Sequence, residues 1–145
     1  MTGEPPRVSE TTVRVNYSET DQMGVVYHAR YLVWLDIART GHIRQAGISY
    51  AELERMGLRL AVGELRIRYR QPARYDDVVR VRCWVRSCVP RRVVFGYALD
   101  LPDRQILLVT AETSMMVLGP DFRWSRLPPE VQAILPAVPD PVRLF

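Results

Sequence analysis

Two hydrophobic periods divide this chain. Thr11 to Tyr17 (TTVRVNY) alternates polar and apolar positions and is rich in β-branched residues, which predicts a strand. Ser18–Gly24 follows as a loop of turn formers. From Tyr27 to Ala46 the period lengthens to that of a helix. Tyr31, Leu35, Ala38, His42 and Ala46 share one side, flanked by Leu32, Trp34 and Ile43, while Asp36, Thr40 and Arg44 form a narrow polar strip opposite. A helix apolar around most of its circumference needs more than one neighbour to cover it. Gly47 supplies a stop, and Ser49 with Glu52 forms a capping box for a second short helix that ends at Gly57.

Period two then returns. In Leu60–Tyr69, Leu65, Ile67 and Tyr69 lie on one face and Arg66 and Arg68 on the other, with Arg70 following. Gln71–Asp77 reads as a turn or irregular link. In Val78–Ser87, Val79, Val81, Cys83 and Val85 oppose Arg80, Arg82, Trp84 and Arg86. Two further strands are predicted, Arg92–Leu101 and Ile106–Leu118, separated by Pro102-Asp103. Such alternation belongs to an antiparallel sheet with one face packed and one exposed, and the Tyr27–Ala46 helix is the natural cover for the packed face. The order is strand, long helix, four strands: an α+β fold. Met1 to Glu10 reads as a flexible leader, residues 11–119 as the folded domain, and residues 120–145 as a Pro-rich extension with a short helix near Pro129–Leu135. A long exposed edge strand is a liability that pairing with a second copy relieves, so a homo-oligomer is expected.

At 145 residues the chain suits one domain. All 20 basic residues are Arg, and the formal net charge is +4, which permits an anionic partner without requiring one. Cys83 and Cys88 are too widely spaced for a CxxC motif, and with only two histidines neither a metal site nor a disulfide framework is indicated. The polar start MTGEPPRVSE has no signal-peptide core, and no apolar run reaches membrane-spanning length, so a cytoplasmic location is expected. The Arg rows lack an aromatic stacking platform or a known motif, which argues against nucleic acid.

The chemistry concentrates in Tyr17–Leu32, YSETDQMGVVYHARYL. An acid (Asp21), a phenol (Tyr17), an imidazole (His28) and a fresh helix N-terminus fall in one segment, with Gly24 allowing close approach to a ligand. That set suits a carbonyl compound, polarised by backbone N–H groups and attacked from the other side. Asp21 also fits a capping or turn residue, Tyr17 a core aromatic, and His28 a solvent-facing residue of the first turn. His42 reads as a satisfied core histidine, and Asp76 and Asp77 as turn residues.

Element order and motif together resemble the hotdog-fold acyl-CoA thioesterases, in particular the 4-hydroxybenzoyl-CoA thioesterase-like group that includes the YbgC proteins. The likeness rests on YSETDQMGVVYHARYLVWLDIART, on LRIRYRQPARYDDVVRV and on the following pair of long strands, spanning about Thr11 to Leu118. It implies a five-stranded antiparallel sheet wrapped around one long central helix, a coenzyme A thioester as substrate, no metal and no separate cofactor. It also implies dimers or tetramers with the active site between subunits. The family's catalytic carboxylate matches Asp21, its Tyr matches Tyr17, and its loop-ending His matches His28. The oxyanion is then expected at the N–H of His28, with that of Tyr27 as a second donor. Gly24, Val25, Val26 and Tyr27 are expected to line the substrate site, with Leu60 and Val62 as further acyl contacts. Arg91 and Arg92 are expected to meet the coenzyme phosphates. Gln22-Met23 and the chain beyond Gly119 depart from the family pattern. Two other readings stay open: a hydratase or dehydratase using Asp36 or His42, and an acyl-CoA-binding module without catalysis.

Overall fold

The computed structural model describes residues 7–145. Five strands form one antiparallel sheet in the order β1-β3-β4-β5-β2: β1 (Val8–Arg14), β2 (Arg59–Tyr69), β3 (Val78–Val89), β4 (Arg92–Leu101) and β5 (Ile106–Leu118). Between β1 and β2 come a 3-10 turn (Tyr17–Glu19), α1 (Arg30–Ala46) and α2 (Tyr50–Arg55), and α3 (Pro129–Ala133) follows β5. No helix among the described residues is long and apolar enough to cross a membrane.

The first strand begins earlier than its alternation suggests. Val8–Glu10 are paired with Arg82–Trp84 of β3, so strand, not leader, starts at Val8, while Met1–Pro6 lie outside the described residues. The strand stops at Arg14 because Asn16 caps the 3-10 turn, its side chain accepting from the Ser18 N–H at 3.0 Å. The capping box at α2 forms as expected, with Ser49 Oγ accepting from the Glu52 N–H at 3.1 Å. Gly47 closes α1 at a φ of 118°, a conformation that favours glycine.

The core lies between α1 and the inner face of the sheet, where Tyr31, Trp34, Leu35, Ala38 and Ile43 pack in one cluster with Val79, Val81, Phe95, Tyr97 and Val109. His42 is buried with them, its Nδ1 2.8 Å from Ser9 Oγ, which in turn donates to the Cys83 carbonyl. Burial holds the His42 pKa below its ordinary value, and a hydrogen bond involving the Cys83 backbone partly opposes that shift. The other side of α1 is open: Leu32, Val33 and Ile37 are exposed. So are Leu65 and Tyr69, expected on a buried face; β2 is an edge strand, with no further strand on its outer side among the described residues.

The outer face of the sheet is not simply solvated. Trp84, whose period places it outward with Arg80, Arg82 and Arg86, is fully buried, because the C-terminal segment crosses that face. Val138, Leu144 and Trp84 pack in a second cluster with Ala98, and Val142 and Phe145 extend it. Trp84 Nε1 donates to Asp140 Oδ1 at 2.8 Å, and Arg86 grips the same carboxylate with two bonds of 2.9 and 2.8 Å. The terminal Phe145 ring lies 3.8 Å from the Arg66 guanidinium. Gly96 makes the arrangement possible, since a Cβ there would sit 2.6 Å from the Trp84 ring. Of the other outer arginines, Arg80 is held by Asp100 at 2.9 and 2.6 Å, and Arg82 lies 3.6 Å from the same carboxylate.

Candidate active site

Hydrogen bonding, rather than helix, shapes the segment before α1. Thr20 and Val26 bridge as in a hairpin, with the Asp21 N–H donating to the Val25 carbonyl and the Tyr27 N–H to the Glu19 carbonyl, both at 2.9 Å. Gly24 takes a φ of 79° to complete the turn. The Val26 N–H donates to the Ala73 carbonyl, tying the loop to the link after β2. Asp21 Oδ1 accepts from the Met23 N–H at 2.8 Å, which fixes the carboxylate's orientation while leaving Oδ2 uncommitted among the described residues.

Helix α1 therefore begins at Arg30, three residues later than Tyr27. Two consequences follow for the backbone donors. The Tyr27 N–H is spent on Glu19, so it cannot serve as the second donor expected from the sequence. The His28 N–H has no hydrogen-bond partner among the described residues and stands at the entry of the first helical turn. The His28 carbonyl accepts from the Tyr69 hydroxyl at 2.9 Å, which anchors that peptide to the end of β2. The His28 ring lies against Tyr27, with centroids 4.5 Å apart.

A single buried acid secures the whole unit. Glu19 Oε2 accepts from Trp34 Nε1 at 2.9 Å, Oε1 accepts from the Asn16 N–H at 2.8 Å, and Arg30 Nε lies 4.0 Å away. Sequence reading passed over Glu19, although the spacing Asn16-x-x-Glu19 is that of a capping box and was the available signal.

Asp21, Met23, Val25, Val26, His28, Tyr31, Tyr69, Arg70, Gln71 and Pro72 line a cavity of about 260 Å³. Of the sequence candidates, the fold brings Asp21, His28, Val25 and Val26 together there. Gly24 shapes the loop beside it, and Tyr27 flanks His28. Tyr17 does not join them: it is largely exposed and packs edge-to-face on Tyr75 at 5.6 Å. Arg91 and Arg92 lie toward the other end of the sheet. Arg92 pairs with Met116 and Tyr69 with Val109, a separation of seven residues or roughly 23 Å along β5. Leu60 lines a different hollow with Asp36 and Arg39, and Val62 is exposed on the β2 edge. Tyr31 and Tyr69 were missed as lining residues because they meet the loop only in three dimensions. The Tyr31 hydroxyl accepts from the Ala73 N–H at 3.0 Å, and burial raises the pKa of both phenols, so they stay protonated donors at neutral pH. Asp36 and His42 do not converge. Asp36 pairs with Arg39 at the surface at 2.7 Å, and His42 faces Ser9 and Phe95 in the core. No group of three or more His, Cys, Asp or Glu side chains among the described residues is placed to hold a metal.

A protein-family model described as the thioesterase-like superfamily matches residues 15–135. YneP of Bacillus subtilis (strain 168) is 33% identical over 116 residues, covering 80% of this chain and 84% of that protein. The acyl-CoA thioester hydrolase YbgC of Escherichia coli O157:H7 is 32% identical over 108 residues, covering 74% and 80%. Among solved structures, a DHNA-CoA thioesterase from Staphylococcus aureus superposes with a TM-score of 0.80 at 32% identity, covering 84% of this chain and 82% of that one.

Proposed function

This chain belongs to the thioesterase-like superfamily, and we propose that it hydrolyses the thioester of a short-chain or aromatic acyl-CoA to the free acid and coenzyme A. One observation carries the reading: Asp21 and His28, whose N–H has no partner among the described residues, line one cavity at the entry of α1. The thioester oxygen docks on the His28 N–H, where the orphan donor and the helix dipole favour the charge that develops on attack. Asp21 acts from the other side, in one of two ways. As a nucleophile it forms a mixed anhydride, the C–S bond breaks, and water then cleaves the anhydride. As a general base it takes a proton from water while the water oxygen bonds to the carbonyl carbon, and the proton passes to the leaving sulfur. Rapid quench separates these, because only the first leaves an acyl group on the protein.

Tyr69 and Tyr31 support the site by holding the His28 peptide and the Ala73 link. Tyr17, exposed and packed on Tyr75, is left outside the chemical step. Val25 and Val26 contact the acyl group; Arg91 and Arg92, roughly 23 Å along the sheet from Tyr69, meet the coenzyme phosphates only where a dimer brings them to the partner's cavity. The hydratase reading is disfavoured by the separation of Asp36 from His42. The binding-module reading predicts saturable acyl-CoA binding with no thiol released, so thiol release from an acyl-CoA panel decides between it and hydrolysis.

Two features support a homodimer: the exposed β2 edge, with Val62, Leu65 and Tyr69 along it, and the exposed Leu32–Val33–Ile37 side of α1. Pairing β2 with its copy satisfies the edge and continues the sheet, and it gives α1 the second covering that its apolar circumference calls for, making it the central helix of the assembly. A monomeric mass by light scattering at working concentration contradicts this.

A further inference from the structure

The C-terminal segment that covers Trp84 also reaches the wall of the Asp21 cavity. Asp140 is held on the outer face of the sheet by Trp84 and Arg86, and a few residues later the segment meets β2. There the Phe145 ring lies 3.8 Å from the Arg66 guanidinium and 5.9 Å from that of Arg68. The carbonyl of buried Leu144 accepts from Arg70 Nη2 at 2.9 Å and from the Thr110 hydroxyl. Arg70 Nε donates to that same hydroxyl at 3.3 Å. Thr110 is fully buried and stands opposite Arg68 in the β2–β5 register, so it is a rigid bracket on the outer row. Two of the Arg70 nitrogens are thus fixed from outside the cavity.

Arg70 is also where β2 leaves the sheet. Its N–H and that of Gln71 both donate to the Leu108 carbonyl, at 2.7 and 3.1 Å, and Arg70, Gln71 and Pro72 then line the Asp21 cavity. This stretch lies between two ties to the site loop. Before it, the Tyr69 hydroxyl donates to the His28 carbonyl; after it, the Ala73 carbonyl accepts from the Val26 N–H, both at 2.9 Å. Gln71 and Pro72 are themselves exposed, so the wall they form depends on its anchors rather than on burial. We propose that Arg70 is a positioning residue through which the C-terminal segment sets the width of the acyl pocket: Leu144 holds Arg70, and Arg70 holds the Gln71-Pro72 wall against the Asp21 loop. The inference rests on the thioesterase reading of the cavity, and it gives the chain beyond Gly119 a part in acyl selectivity. A firm wall resists bulky acyl groups, and a loosened one yields to them.

Arg70→Met keeps an apolar stem and removes both donors. The kcat/KM for benzoyl-CoA relative to propionyl-CoA is expected to rise about fivefold, the scale of one lost hydrogen bond. Arg70→Lys, which keeps a donor for the Leu144 carbonyl, should return most of the ratio, and deleting Leu144 and Phe145 should reproduce the Arg70→Met shift. Trp84→Phe is the control: it removes the bond to Asp140, lowers Tm, and should leave the ratio unchanged. Amide hydrogen exchange reads the wall without substrate, and exchange at Val26 and Ala73 should quicken about fivefold in Arg70→Met but not in Trp84→Phe. An unchanged ratio or unchanged exchange in Arg70→Met, no recovery with Arg70→Lys, no shift on deleting Leu144 and Phe145, or an equal shift in Trp84→Phe overturns the inference. If the unaltered protein releases thiol from no acyl-CoA, the thioesterase reading falls instead, and the exchange rates still decide whether Arg70 holds the wall.

Discussion

Replacing Glu19 by Ala tests whether the loop bearing Asp21 is held by a buried carboxylate. The change removes two acceptors, one for Trp34 Nε1 at 2.9 Å and one for the Asn16 N–H at 2.8 Å. Asn16 is exposed, so water can take over part of its bond, but Trp34 is only 1% exposed and its indole N–H is left without a partner. A hydrogen bond to a charged group contributes about 1.5–3 kcal/mol, and an unpaired buried donor costs about 1–3 kcal/mol. The expected destabilisation is therefore about 3 kcal/mol, or roughly a 10 °C fall in Tm for a chain of this size. Glu19→Gln keeps one oxygen acceptor and turns an amide NH2 toward the other donor, so about half the loss is expected. Trp34→Phe removes the donor itself, and combining it with Glu19→Ala should cost less than the sum by about 1–2 kcal/mol. Urea and thermal unfolding of the four proteins measure this. A Glu19→Ala change below about 0.5 kcal/mol, or strict additivity with Trp34→Phe, refutes the assigned role.

Gly96→Ala should destabilise by about 1–3 kcal/mol, since the new Cβ meets the Trp84 ring at 2.6 Å beneath the C-terminal segment; unchanged urea midpoints contradict that packing. The depressed pKa of His42 makes stability pH-dependent. The unfolded chain binds the proton more readily, so the contribution is fully present above the ordinary value of 6.5 and is lost as pH falls from there through the folded pKa. A stability slope of up to about 1.4 kcal/mol per pH unit below 6.5, flattened in His42→Gln, is the expected result. An equal slope in both proteins removes His42 as its source.

Element types could be read along the chain because each rests on local periodicity, and Asp21 and His28 because they sit in one contiguous motif. What sequence reading missed depends on contacts between distant segments. Trp84 alternates with arginines and so looks solvent-facing; only the arrival of Asp140 and Leu144, some 56 residues on for Asp140, buries it. Alternation likewise places Leu65 and Tyr69 inward, yet their burial depends on what lies beyond an edge strand. The start of α1 was read three residues early because Tyr27 and His28 continue the apolar pattern, whereas the Tyr27 N–H is drawn to Glu19. The cavity needs Tyr69, 41 residues from His28, and no local signal links the two.

The central claim is that Asp21 performs the chemical step, and Asp21→Asn tests it most directly. Asparagine retains an oxygen to accept from the Met23 N–H, so the loop should keep its shape and the protein its Tm. The amide can neither attack a carbonyl nor take a proton from water. Thiol release from an acyl-CoA panel, measured beside Asp21→Ala, is expected to fall by at least about a hundredfold in kcat for both variants. Wild-type turnover in both would contradict the account.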